Sequence, residues 1–206
     1  MDQLLIHVEG NQMNAAERPP MIVRLTRRLE EATALDRPVG ALEPIIESAF
    51  GSGTRGRLLR GDWLGHAVHP VLTDVVLGTW TSASVLDLVG GTDSSASAQR
   101  LVGTGLLAAG PTAWTGWAEW SAAPARDKRV GLVHAVTNAV AIGFYAASWS
   151  ARRQGRHGSG SRRALVGMAI SGVGGYLGGH LAAARNVGSH HPAYDDSAAE
   201  ELAAAP

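Results

Sequence analysis

The stretch His66-Ala67-Val68-His69-Pro70-Val71-Leu72-Thr73-Asp74 runs directly into an apolar segment that ends near Val89. It sets two imidazoles, a proline and a carboxylate at the mouth of a run of about 20 residues, the length that crosses roughly 30 Å of hydrocarbon. Three comparable runs follow. The pattern predicts four spans, at about 69–89, 101–123, 130–150 and 164–184, since four such runs in series seldom arise in a soluble chain. Between them lie a polar loop (90–99), a tight charged turn at Arg126-Asp127-Lys128-Arg129 and a basic loop from Arg152 to Arg163. The fold class expected is an all-α integral membrane protein: a four-helix transmembrane bundle preceded by a short cytoplasmic helical segment. A soluble bundle with buried glycine-rich helices is the competing reading.

Composition supports the membrane reading. Of 206 residues, 26 are glycine, concentrated inside the apolar runs, where membrane helices use small residues for close approach. Lys plus Arg and Asp plus Glu are 18 each, so net charge points to no nucleic-acid partner. The chain has no cysteine, which excludes thiolate chemistry and a cysteine-ligated cluster within it. No basic start followed by an apolar core marks a cleavable signal.

Residues 1–62 read as a polar N-terminal leader with two short amphipathic helices. Ile22, Leu25, Leu29 and Ala32 recur at helical spacing, with Arg24, Arg27 and Arg28 between them. Such a helix either lies on anionic lipid or packs on the rest of the protein. Asp36-Arg37-Pro38 breaks it. Val39 to Phe50 forms the second, with Val39, Leu42, Ile46 and Phe50 on one face, and Gly51 to Gly61 reads as a linker. Residues 63–188 form the four-span domain and 189–206 a flexible tail.

Four spans joined by short loops alternate in direction. The start of the first, the end of the second, the start of the third and the end of the fourth therefore share one side. On that side fall His66, His69 and Asp74, then Glu119, then His134 and Asn138, then His180. Helical phase turns several inward: His134, Asn138, Ala141, Tyr145 and Ser148 form one stripe, and Ala108, Thr112, Thr115 and Glu119 another. In the fourth span Gly174 and Gly178, and Gly175 and Gly179, each make a small-xxx-small seam. Ionisable groups in hydrocarbon are paired or face a cavity, and they draw a functional hypothesis by default.

Three readings of the cluster are open. Imidazoles from different helices hold haem b or a transition metal in bundles. His134 with His180, or with His69 or His66, would supply the nitrogens, and Asp74 or Glu119 would orient a ligand ring. Alternatively the same side chains hold four helices in register, with His69 capping ahead of Pro70. The third reading is a proton relay. No nucleophile–base motif, phosphate loop or zincin pattern is present. His190-His191-Pro192 in the tail reads as a solvated pair, and Trp63, Trp114, Trp117, Trp120 and Trp149 read as an aromatic belt.

The sequence carries a faint internal repeat. His69-Pro-Val-Leu-Thr-Asp is echoed by His134-Ala-Val-Thr-Asn, and Leu101-Val-Gly by Leu165-Val-Gly, at offsets of 65 and 64. That pattern predicts two similar helical hairpins related as a parallel repeat.

From Leu35 to Gly188 the chain resembles a bacterial membrane domain family known as domain of unknown function 2231. The matching stretches are Leu35-Asp36, Leu59-Arg60-Gly61-Asp62-Trp63-Leu64-Gly65-His66, His69 to Asp74, Leu86-Asp87, Thr115-Gly116, Gly131-Leu132-Val133-His134 with Asn138, and Tyr176-Leu177-Gly178-Gly179-His180-Leu181. The resemblance implies a four-span inner-membrane protein. Some relatives look joined to Rieske-type ferredoxin domains, which would make a separate redox protein of that type a partner here. The other expected partners are the lipid bilayer and, through the glycine seam, a second copy of the chain. Arg55, Arg57, Arg60, Arg126, Lys128, Arg129 and Arg185 flank one side, against Arg100, Arg152, Arg153, Arg156, Arg162 and Arg163 on the other. This excess of basic residues, with the long polar N-terminus, predicts both termini in the cytoplasm.

The function expected is therefore a redox-associated subunit binding haem b or a metal, with His69, His134 and His180 as the candidate metal ligands. A cofactor-free scaffold or assembly subunit is the alternative. A catalytic residue is not assigned.

Overall fold

The computed structural model describes residues 19–188, so the tail pair His190-His191 lies outside the described residues. Among those described, every regular element is helical. Four long helices make the body: α4 (His69–Val89), α5 (Ser95–Ala122), α6 (Ala125–Arg153) and α7 (His157–Gly179), the last continuing into a π-turn, His180–Ala184. Three of them, α4, α6 and α7 with its π-turn, are long and apolar enough to cross a membrane. α5 has the length, 28 residues, but its threonines, glycines and tryptophans give it lower hydropathy.

The helices overrun the expected spans, and three connections shrink. Pro124, extended at φ −59° and ψ 153°, ends α5 and opens α6, so Arg126-Asp127-Lys128-Arg129 is the first turn of α6, with Asp127 and Lys128 buried. The basic loop reduces to Gln154–Arg156, because Arg152 and Arg153 still belong to α6 and His157 already opens α7. Half of the polar loop 90–99, from Ser95 on, is taken up by the start of α5.

α4 pairs with α5 and α6 with α7 as two hairpins, and α5–α6 and α4–α7 contacts close the bundle. The hairpins repeat one another. Val76, Trp80 and Ala83 are buried on α4 where Ala141, Tyr145 and Ser148 are buried on α6, 65 positions on. Ala98, Val102, Gly105 and Ala109 are buried on α5 where Gly160, Ala164, Gly167 and Ser171 are buried on α7, 62 positions on. The Leu101/Leu165 match, at an offset of 64, is therefore not the structural equivalence; the connection within the second hairpin is shorter than that within the first.

Equivalent residues of α4 and α6 meet each other near the axis relating the hairpins. Midway along the bundle the Trp80 and Tyr145 rings stack, centroids 3.8 Å apart at 15°. At one end Arg152, 2% exposed, forks onto Asp87, donating from Nη1 to Oδ1 at 2.9 Å and from Nη2 to Oδ2. At the other end stand His69 and His134.

The N-terminal helices wrap that His end. α2 (Asp36–Ile46) and the π-turn after it bury Val39 and Ile46 against Trp120 and Leu132, with Leu42, Phe50 and Trp117 alongside. The expected linker is largely α3 (Gly53–Arg60), closed by Gly61 at φ +85°. A helix fits there because Gly56 lets the main chain rest on the Gly51 carbonyl, where a Cβ would sit 1.8 Å from the oxygen. α1 (Met21–Glu30) packs on the protein through Thr26 and Glu30, and its apolar stripe stays exposed.

Candidate functional site

His69 stands in the first turn of α4, where Pro70 suits a position whose N–H has no intrahelical partner. Its ring crosses to α5, and Nδ1 lies 2.8 Å from the Thr112 carbonyl oxygen. His134 on α6 does the same to α7, with Nδ1 2.9 Å from the Gly174 carbonyl oxygen. A carbonyl only accepts, so each Nδ1 carries the proton and each neutral ring keeps its lone pair on Nε2. Each ring is seated on a glycine one turn further along: a Cβ on Gly116 would come 2.8 Å from His69 Cε1, and one on Gly178 2.9 Å from His134 Cε1. The two imidazoles face each other across the pseudo-two-fold, centroids 6.3 Å apart and planes at 82°.

Of the remaining candidates, Asn138 joins this pair. Its amide Nδ2 lies 3.1 Å from His134 Nε2. His180 does not. It turns out of the bundle and puts Nε2 2.7 Å from Glu30 Oε1 on α1, so His134 and His180 are not an axial pair here. Asp74 is exposed on the outer face of α4, because five residues of helix turn it far from His69. His66 is exposed in the loop before α4, with Nδ1 3.0 Å from the Ala67 carbonyl. Among the described residues, no three His, Asp or Glu side chains converge as a metal site.

Glu119 sits one turn beyond Gly116 on α5. It is 8% exposed and its Oε1 has no hydrogen-bond partner among the described residues. It lines a cavity of about 410 Å³ at the end of the bundle, shared with Arg60, His66, Arg185 and Gly188.

Two ionic centres escaped the sequence reading. One is Asp87–Arg152; its only sequence signal is the 65-residue offset that makes the two equivalent. The other is Glu30, buried at 4% exposure. Arg185 Nε donates to Glu30 Oε1 at 2.7 Å and its Nη2 to Oε2, while Arg129 Nη1 reaches the Glu30 carbonyl at 2.7 Å. Burial pushes the Glu30 carboxyl up, but the hydrogen bonds and charge of Arg185 and His180 outweigh it and hold the group below its usual value.

A long, paired, apolar bundle whose inward charges Asp87, Arg152 and Glu30 are tied to partners fits a bilayer. No curated protein and no solved structure matches the chain. Residues 65–191, well over half of the chain, match the family described as "predicted membrane protein" (DUF2231), and the chain belongs to that family.

Proposed function

We propose that this protein is a four-span redox subunit of the bacterial inner membrane, with both termini cytoplasmic, in which His69 and His134 would hold haem b. The observation that carries the reading is the matched pair of rings: equivalent positions, each Nδ1–H spent on a main-chain carbonyl, centroids 6.3 Å apart. Ligating imidazoles are oriented in this way, by a hydrogen bond from the nitrogen that does not bind the metal.

The donor set also selects among metals. A structural zinc ion takes four protein ligands, and a catalytic one takes three. The pair here is two neutral nitrogens without a third protein donor among the described residues, and a haem iron asks the protein for only two axial ligands. The bound group would supply one-electron chemistry. The chain's own part is to fix both rings through Thr112 and Gly174 and to keep the stacked Trp80–Tyr145 pair beneath them dry. Electrons would pass to a separate partner, such as a Rieske-type ferredoxin, since the chain has no cysteine to hold a cluster.

The test is the visible spectrum of the detergent-purified protein, oxidised and dithionite-reduced. The reading expects a Soret band and an α band that sharpens on reduction. His69→Ala and His134→Ala should each lose the low-spin spectrum while the protein still inserts, and His180→Ala should keep it. A featureless spectrum that persists after incubation with haemin overturns the reading.

The cofactor-free scaffold is the second reading, and one observation favours it: Asn138 Nδ2 already donates to the lone pair of His134 Nε2 at 3.1 Å. On that reading His134→Ala lowers stability, with no spectrum to lose.

A further inference from the structure

The three N-terminal helices sort their charges by direction. α1, α2, α3 and the turns between them carry five carboxylates. Three of these turn inward to cations of the bundle: Glu30 to Arg185, Asp36 to Arg129 with Nε–Oδ1 at 2.6 Å, and Glu43 to Lys128. Apart from Arg60, which donates to the Gly51 carbonyl at 2.8 Å, the arginines of α1 and α3 point the other way. Arg24, Arg27, Arg28, Arg55 and Arg57 are exposed, and none forms an ion pair among the described residues.

Apolar side chains lie beside these outward cations. On α1, Met21 is 67% exposed, Ile22 50% and Leu25 45%; Leu58 on α3 is 61% exposed and Trp63 just after it 67%. On the wheel of α1 Met21, Ile22, Leu25 and Leu29 occupy one arc, the arginines the arc adjoining it, and the buried Thr26 and Glu30 the side turned to the protein. The seam is bolted down: Thr26 Oγ1 meets the Tyr176 hydroxyl at 3.1 Å and Glu30 meets His180 and Arg185. α2 packs on Trp117 and Trp120, residues of the kind that settle at headgroup depth. The apolar arc thus stays on the outside of the protein, with outward guanidinium groups beside it, of which Arg24 and Arg55 also donate to the Pro19 and Ser48 carbonyls.

We propose that this collar is a binding surface for anionic phospholipid. The apolar arc enters the headgroup–acyl boundary, and Arg24, Arg27 and Arg28, with Arg55 and Arg57, hold phosphate groups, to which a guanidinium fork donates two parallel hydrogen bonds. With three of the five carboxylates spent on the bundle, Glu31 and Glu47 remain against the five outward arginines, so the outer face stays net positive, the sign that concentrates anionic lipid. This assignment does not depend on whether haem is bound.

The experiment reconstitutes the whole protein in nanodiscs of phosphatidylcholine with phosphatidylglycerol and counts the lipids that stay bound after release, by native mass spectrometry. The wild-type protein should retain phosphatidylglycerol in excess of its share. A basic residue near the surface is worth about fivefold in local anionic-lipid preference, so the Arg24→Gln/Arg27→Gln/Arg28→Gln variant should lose on the order of tenfold or more of that excess. Arg156→Gln/Arg162→Gln, two charges at the opposite end of the bundle, should keep it. Circular dichroism of each variant checks that the helices remain. An excess unchanged in the α1 variant, or reduced equally by the opposite-end variant, overturns the proposal. So does retention of both lipids in the proportion supplied.

Discussion

The glycines of α7 offer a sharp test, because the sequence shows two seams of equal quality and the structure uses only one. A Cβ on Gly174 would lie 2.3 Å from Asn138 Oδ1, and one on Gly178 2.9 Å from His134 Cε1. A Cβ on Gly175 or Gly179 would meet nothing within 4 Å. Replacing glycine by alanine inside a helix gains about 1 kcal/mol through propensity. At Gly178 the added methyl must displace the His134 ring, an overpacking penalty of about 1–3 kcal/mol. The displaced ring loses its bond to the Gly174 carbonyl, another ~1 kcal/mol. Gly178→Ala should therefore be destabilised by about 1–3 kcal/mol net, while Gly179→Ala should be neutral or stabilised by up to about 1 kcal/mol. Gly174→Ala should fall nearer zero than Gly178→Ala, since the Asn138 amide is the mobile end of its side chain. Unfolding by sodium dodecyl sulfate in mixed micelles, followed by far-ultraviolet circular dichroism, measures all three variants on one scale. Equal losses at Gly178 and Gly179 would refute the reasoning, because they would mean that both seams are packed, the second by another molecule.

The remaining predictions use the same assay or a close relative. Asp87→Ala strands the buried Arg152 guanidinium and should cost about 3–5 kcal/mol, whereas Asp87→Leu/Arg152→Met should recover most of the loss; a double variant as unstable as the single one would show that the ion pair is not what holds that end. The Glu30 carboxyl is held below its usual value near 4.5. The stability it lends to α1 docking is fully present above that value and is lost as pH falls through the lowered native one. The chain lacks cysteine, so a spin label at Ile22→Cys reports α1 alone; it should stay ordered at neutral pH and gain mobility only below about pH 4.5. Glu30→Gln, with its countercharge gone, should loosen α1 at neutral pH too; an unchanged spectrum there would remove the latch. Tyr145→Ala opens the stacked centre of the bundle and should cost about 3–5 kcal/mol in the micelle assay, against well under that for the exposed Tyr176→Ala.

Much of the bundle was legible because two periodicities coincide in it. Length and hydropathy marked the long helices, and helical phase put Ala141, Tyr145, Ser148, Thr115 and Glu119 on inner faces, where they are buried. The helix ends were less legible. Arg126 to Arg129 and Arg152 to Arg163 look like loops because their charges have no place in hydrocarbon, yet helices extend past the membrane and bury Asp127, Lys128 and Arg152 against partners far away in sequence. Glu30 shows the same limit: its partner Arg185 is 155 residues away, and no local pattern announces the bond. His180 read as a ligand because it shares a side with His134, but sidedness fixes only depth. Azimuth decides contact, and His180 is two residues beyond the Gly178 that faces His134, which rotates it away from the bundle and towards α1.

The repeat bears on function through what meets at its axis. Where two similar hairpins pack about a two-fold, one position of the unit faces its own copy, and identical side chains there are a poor solution unless they are small or share something. Two of the three levels have diverged into complementary partners: Trp80 with Tyr145, which stack, and Asp87 with Arg152, which pair. The third, His69 with His134, is identical. Each ring has spent its only proton on a carbonyl of its own hairpin, so neither can donate to the other, and a direct hydrogen bond between the two neutral rings is ruled out. A glue role alone would be served better by divergence, as at the other two levels. Two oriented imidazoles on the axis suit an electrophile held between them once Asn138, whose amide meets His134 Nε2 at 3.1 Å, gives up that contact, and a ligand that contacts both hairpins equally is the kind that makes identity an advantage. On the axis reading the spectrum of the His69→Ala variant must fail in the same way as that of His134→Ala, and a variant pair that behaves unequally would separate the two histidines into one ligand and one prop.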